Sequence, residues 1–107
     1  MKHGKHGLIA QAAHRLFQQQ GFTATKMAQI ASAAGMTAAN LYVYFDSKLA
    51  ILYEVYRSLA RHSRRRRELR QCALIEALAR RHRRAVPSRA FLNEMEVAVG
   101  SVRHAPA

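Results

Sequence analysis

A short stretch of this sequence, TAANLYVYF at positions 37–45, carries the side chains best suited to recognising another molecule. Leu41 and Phe45, four residues apart, predict a helix with one buried edge. The rest of its surface then holds small residues, an amide and two phenols: Ala38, Ala39, Asn40, Tyr42 and Tyr44. Small residues let a helix approach base edges in a DNA major groove, where asparagine can pair with adenine. The stretch therefore predicts a helix that reads DNA.

A second helix and a tight turn are predicted immediately before this stretch. Apolar residues recur there at helical spacing: Met27, Ile30, Ala31 and Ala34. Thr25 is predicted as the N-cap of this helix, because its hydroxyl can accept a hydrogen bond from a free backbone N–H. Gly35 follows where a helix end favours a left-handed residue, and Thr37 can cap the next helix two positions later.

The preceding segment predicts a supporting helix from Leu8 to Gln20, which Gly21 ends. Its apolar residues repeat with the helical period: Ile9, Ala12, Ala13, Leu16 and Phe17. Residues 1–7 place lysines and histidines between glycines. They could form a basic arm that reaches DNA, but we favour a disordered terminus.

A fourth helix is predicted after the DNA-reading stretch, capped by Asp46 or Ser47. Its inward stripe consists of Ile51, Leu52, Val55, Tyr56 and Leu59. Lys48 lies in its first turn, where the helix dipole disfavours a cation. A DNA phosphate there would meet both the free N–H groups and the ammonium, so Lys48 is predicted to hold one.

The remainder of the chain is rich in arginine. Helix is predicted to continue to about Arg84, and Pro87 then breaks it. Ser88 is predicted to cap a last helix over 89–99, which Gly100 ends. The predicted fold class is all-α, with three helices in a helix-turn-helix unit, a fourth helix and an arginine-rich helical extension.

The net charge of the chain is strongly positive, which favours a polyanion such as nucleic acid as its binding partner. The 107 residues include 18 Lys and Arg against six Asp and Glu, a net charge of +12. The excess is uneven, because residues 57–107 hold thirteen of the basic residues, all arginine. The run 64–67 has two interpretations: a solvated helix face, or nonspecific contact with nucleic acid that depends steeply on salt.

The sequence lacks the residue patterns typical of disulfide-bonded, zinc-binding, enzymatic and membrane proteins. Cys72 is the only cysteine, which excludes an intramolecular disulfide and a multi-cysteine zinc site. No nucleophile with a base, paired carboxylates or glycine-rich phosphate loop is evident, so we expect no enzyme, cofactor or metal. No apolar stretch approaches the ~20 residues that span a bilayer, and residues 1–7 lack a following signal-peptide core.

The combination of these segments resembles the TetR-type bacterial transcriptional repressors over roughly positions 8–56. The resemblance rests on IAQAAHRLFQQQGF, then T-x-x-x-x-I-A-x-x-A-G-x-T, then LYVYF-x-SK with an apolar run. It implies a sequence-specific regulator of transcription, a repressor, that binds double-stranded DNA in the bacterial cytoplasm. The site residues predicted from sequence and resemblance together are Thr25, Lys26, Thr37, Ala38, Ala39, Asn40, Tyr42, Tyr44 and Lys48.

Several of these residues also have a purely structural interpretation. Thr37 could act only as a helix cap, and Asn40 could be an ordinary exposed residue. Tyr42 and Tyr44 could be core aromatics with one wet edge, and Lys48 could be solvated.

The chain departs from the TetR type after the helix-turn-helix. Regulators of that type continue as a helical domain that binds an inducer and forms the dimer. Residues 57–107 are predicted as a remnant of that domain, after a DNA-binding domain at 1–56. Pairing as a homodimer, or as a heterodimer with a related chain, and a small-molecule inducer are implied only by resemblance. Two alternatives stay open: a nonspecific arginine-rich nucleic-acid binder, and a truncated regulator that acts through a partner chain.

Overall fold

The computed structural model describes residues 2–81 and 88–100 of the chain. These residues form α-helices without a strand. The helices are α1 (Lys2–Gln20), α2 (Met27–Ala33), α3 (Ala38–Tyr44), α4 (Lys48–His62), α5 (Arg66–Arg81) and α6 (Arg89–Val99). The predicted all-α class is confirmed. In this part of the chain, no helix has both the length and the apolar character needed to cross a membrane.

Helix α1 begins earlier than the sequence predicts, so the expected disorder is wrong for residues 2–7. Glycine inside a helix costs about 1 kcal/mol relative to alanine, which weakens the local signal at Gly4 and Gly7. This part of α1 also contacts the end of α3. The ring of His6 packs edge-on against Tyr44 and Phe45, with centroids 5.4 and 5.3 Å apart.

The turn between α2 and α3 has the predicted chemistry. Gly35 adopts a left-handed conformation with φ of +74°. Its N–H donates to Ser32 O at 3.1 Å, and the N–H of Met36 donates to Ala31 O at 2.9 Å, which closes a Schellman motif. Thr37 then caps α3, because its Oγ1 accepts the N–H of Asn40 at 3.1 Å. Helix, tight turn and helix are thus confirmed.

The predicted continuous helix through the arginine-rich segment is wrong, because α4 ends at His62 and α5 begins at Arg66. Ser63 lies in extended conformation, and its hydroxyl donates to Glu68 and accepts the N–H of Arg65. Four adjacent arginines would also repel one another along a continuous helix. The break lets α5 fold back along α4. The predicted end of this helix, 82–84, lies outside the described residues.

Helix α6 occupies the predicted span, with Ser88 as its cap and Gly100 at its end in left-handed conformation. One cluster of buried side chains joins all these helices, including Ile9, Phe17, Ile30, Leu41, Ile51, Leu52, Ile75, Phe91, Met95 and Val99. The sequence-based division at residue 56 falls inside α4. The helix-turn-helix unit and the later helices therefore share a core.

Candidate nucleic-acid interface

Helix α3 divides into a buried edge and an exposed face, as its sequence predicts. Leu41 is fully buried and Phe45 is 8% exposed. The opposite face is open and holds Ala39, Asn40, Tyr42 and Val43. The hydroxyl of Thr37 accepts the N–H of Asn40, so its own O–H remains able to donate.

Two side chains of this face have unused polar groups. Among the described residues, the Asn40 amide makes no hydrogen bond through its side chain, and neither does the phenol of Tyr42. Tyr42 is 52% exposed. Tyr44 is half-buried instead, because its ring packs against the core and against His6. Ala38 is also half-buried, at the start of the helix.

The sequence reasoning missed Val43, which is 78% exposed on α3. At this exposure, the apolar side chain of Val43 is not stabilised by burial in the protein's own core. In a major groove, such a side chain can contact the methyl group of thymine. The signal was present, because Leu41 and Phe45 already account for the buried edge and leave Val43 outside.

Thr25 does not have its predicted role as an N-cap. Its side chain is fully buried, and its hydroxyl donates to Gly21 O at 2.7 Å. Lys26 takes the N-cap position, and its N–H donates to Oε1 of Gln29 at 2.9 Å. Burial keeps the Thr25 side chain out of any phosphate contact at the start of α2. The side chain of Lys26 is exposed beside it.

Lys48 is half-buried, and its ammonium binds the protein's own backbone. Its ammonium donates to the carbonyls of Phe22, Thr25 and Thr23, at 2.7, 2.9 and 3.3 Å. An ammonium has three N–H donors, so all of them have partners. Desolvation lowers the pKa of Lys48, and the nearby carboxylate of Glu96 opposes this shift. The cap of α4 is Ser47, which accepts the N–H of Ala50.

A second basic surface lies on α5 and the turn before it. Its arginines are all exposed: Arg64, Arg65, Arg66, Arg67, Arg70, Arg80 and Arg81. Only Arg81 of this set has a carboxylate at salt-bridge distance among the described residues, Glu94 at 3.6 Å. Helix α4 has 15 residues and rises 1.5 Å per residue, so its last residue lies about 20 Å from its first, which follows α3 closely in the chain. The run 64–67 lies at that far end.

A groove of about 160 Å³ lies between α4 and α5. Burial raises the pKa of Tyr56 to about 12, and its hydroxyl accepts a hydrogen bond from Gln18. Burial also raises the pKa of the Cys72 thiol. Both shifts disfavour the ionised, nucleophilic forms of these groups. The described residues contain no cluster of His, Cys, Asp and Glu that could hold a metal ion.

Comparison with known protein families finds a match for the helix-turn-helix segment. Residues 9–55 match a family model described as bacterial regulatory proteins, tetR family. The match runs from Ile9 in α1 through α2 and α3 into α4. No curated protein and no solved structure matches the chain. Residues 9–55 are therefore similar to the DNA-binding domain of the tetR family of bacterial regulatory proteins.

Proposed function

We propose that the protein is a sequence-specific repressor that inserts α3 into the major groove of double-stranded DNA. The exposed face of α3 carries this proposal. Helix α3 is anchored by the buried side chain of Leu41. Its opposite face exposes the side chains of Asn40, Tyr42 and Val43. A helix of this composition offers hydrogen-bonding and apolar contacts without a bulky side chain at its start.

The base contacts in this proposal come from the first two turns of α3. Asn40 pairs with adenine through its amide, and Val43 packs against a thymine methyl. Ala38 and Ala39 place only methyl groups at the start of α3, so that the helix backbone can come close to the base edges.

The phosphate contacts come from residues that flank this face. The free O–H of Thr37 donates to one phosphate, and the phenols of Tyr42 and Tyr44 donate to others. The exposed ammonium of Lys26 lies at the start of α2 and adds a charged contact. Thr25 and Lys48 take no direct part, because the protein's own carbonyls already bind them.

Repression follows from occupancy, because a protein seated in promoter DNA blocks or repositions polymerase. One helix-turn-helix contacts only a few base pairs, and such a small site gives weak specific affinity. We therefore propose that two chains, identical or related, occupy neighbouring half-sites about one helical turn apart. In this proposal, residues 1–56 read the DNA and residues 57–107 support them; no observation assigns an inducer.

One observation favours a second candidate function. Six exposed arginines of α5 and its preceding turn lack a carboxylate partner among the described residues. Such a surface binds polyanions without regard to sequence through counterion release. This candidate is a nonspecific nucleic-acid binder, and it predicts affinity that disappears as salt rises and does not depend on Asn40.

A third candidate uses the exposed apolar residues of the later helices. Leu74 is 55% exposed on α5 and Val97 is 80% exposed on α6. In this candidate, a related chain covers them and supplies the second half-site. Sedimentation of the protein alone and with a related regulator separates this candidate from self-pairing.

The proposed function is tested by selecting duplexes from a random pool and measuring binding by fluorescence anisotropy at physiological salt. We expect a recurrent short motif, and at least about tenfold preference for it over a scrambled duplex of equal length. Recovery of no motif, with equal binding to both duplexes, would support the arginine-rich binder instead.

A further inference from the structure

The turn between α1 and α2 is held by two charged side chains from other helices. Glu96 of α6 accepts the N–H groups of Phe22 and Thr23 through its two carboxylate oxygens, at 2.5 and 3.0 Å. Lys48 of α4 donates to the carbonyls of Phe22, Thr23 and Thr25. One side chain therefore binds the amide groups of the turn, and the other binds its carbonyls. We call this pair the turn clamp.

Gly21 makes room for the turn clamp. Its φ of +91° lies in the left-handed region that side chains disfavour. A Cβ at this position would lie 2.7 Å from Oε1 of Glu96, which is closer than such contacts allow. The positive φ therefore favours glycine here, and a side chain at this position would displace the Glu96 carboxylate.

Further hydrogen bonds fix the end of α6 near the clamp. Gln18 of α1 donates to Val99 O at 3.1 Å, and Gln71 of α5 donates to the same oxygen at 2.7 Å. Gln71 also donates to Ala98 O at 3.2 Å. Because α6 is tied to α1 and α5, Glu96 meets the turn from a fixed position.

We propose that Lys48 and Glu96 are positioning residues for DNA recognition. They hold the turn between α1 and α2 in one conformation. Because α2 follows this turn and leads into α3, the turn helps to orient α3 in the DNA major groove. Glu96 lies outside the segment that matches the TetR family, so α6 becomes part of the DNA-binding unit. The inference rests on the proposed DNA-binding function for its consequence, whereas the clamp itself can be tested without DNA.

The first test replaces the carboxylate by an amide in the full chain, Glu96→Gln. The amide offers one acceptor oxygen, and its NH₂ opposes the second N–H of the turn. We expect hydrogen exchange to quicken at least about tenfold at Phe22 or Thr23 in the DNA-free protein. Binding to the selected duplex should weaken about threefold or more at a temperature where circular dichroism shows both proteins folded.

The matched control is Glu94→Gln, on the same helix, where the carboxylate pairs with Arg81 instead. It should leave both the exchange at the turn and the DNA affinity unchanged. Parent-like exchange in Glu96→Gln would overturn the clamp. Faster exchange with parent-like affinity would overturn its role in recognition.

Salt dependence separates positioning from phosphate contact at Lys48. In Lys48→Met, the clamp predicts weaker binding with the parent's slope of log affinity against log salt. A direct phosphate contact predicts a slope smaller by about 1 and would overturn the inference at this residue. If Lys48→Met does not fold, Glu96→Gln still decides the proposal.

The proposed function and the positioning role of Glu96 can fail independently. If the parent shows no preference for any selected duplex, the proposed function fails, and the exchange measurement still decides whether the clamp exists. If the parent shows the preference and Glu96→Gln retains it at full affinity, the proposed function stands and the positioning role fails.

Discussion

Helices α3 and α5 both face solvent, but they suit different kinds of recognition. The exposed face of α3 carries no formal charge and offers an amide, a phenol and an apolar side chain. The exposed face of α5 consists largely of arginine, with apolar residues such as Leu74 between. Charge supplies affinity for any nucleic acid, whereas base-edge contacts supply preference for one sequence. The difference suggests that specificity and nonspecific affinity belong to separate surfaces.

The largest expected effect concerns the buried edge on which α3 depends. Leu41→Ala removes a fully buried side chain from the shared core, and should lower the free energy of unfolding by about 2–5 kcal/mol. Leu74→Ala is the matched control on α5, where the side chain is 55% exposed, and should change stability by less than about 0.5 kcal/mol. Chemical denaturation measures both. Equal losses would contradict the assigned division of faces.

The next effect separates affinity from specificity. Replacing Arg64, Arg65, Arg66 and Arg67 by glutamine should weaken binding to scrambled DNA about tenfold or more at low salt, if this surface binds DNA. The salt slope should fall by about 0.9 for each phosphate that the variant no longer neutralises. Anisotropy titrations across a salt series measure both quantities. An undiminished salt slope would show that the run is only a solvated face.

A smaller effect compares two helix caps of the same type. Thr37→Ala and Ser88→Ala each remove a side-chain oxygen that accepts a helix N–H, and each should cost about 1 kcal/mol of stability. Only Thr37→Ala should also weaken binding to the selected duplex, because only Thr37 lies beside the proposed DNA surface. A similar loss of affinity in Ser88→Ala would show that capping alone accounts for the effect.

The smallest effect concerns acid stability. Desolvation lowers the pKa of His14 in the folded state below its usual 6.5, against the opposing effect of Glu68, and its ring packs against Tyr56. The unfolded chain therefore binds a proton first, so this group costs stability as the pH falls below about 6.5. Above that pH, both states are neutral and the effect vanishes.

His14→Gln should make unfolding free energy less dependent on pH between about 6.5 and 5 than it is in the parent. The slope against pH is the relevant quantity, because the substitution also alters the packing against Tyr56. His62→Gln is the control, since His62 is exposed at the end of α4. An unchanged slope in His14→Gln would contradict the role of His14.

Local chemistry accounts for what the sequence could predict. The sequence predicts Thr37 and Ser88 as caps, and Gly35 and Gly100 as helix ends, because each signal depends on residues within one turn of helix. The faces of α3 followed from the spacing of two apolar residues. The family resemblance is confirmed for the same reason, since its motif is a sequence of such local signals.

The missed features depend on partners far away in the chain. The phosphate contact of Lys48 is predicted from its place in the first turn of a helix, where the dipole disfavours a cation, yet its carbonyl partners lie more than twenty residues earlier. Glu96 meets the turn from a distance of 74 residues in sequence. His6 likewise extends α1 through rings on α3. Such contacts become visible only once the helices are packed.

The most direct test of the account is the base preference of Asn40→Ala at physiological salt, with Asn93→Ala as the matched control on the exposed side of α6. We expect Asn40→Ala to lose about 1–3 kcal/mol on the selected duplex and to become indifferent at one A·T pair, while Asn93→Ala behaves as the parent. Parent-like affinity and base preference in Asn40→Ala would contradict sequence reading by α3.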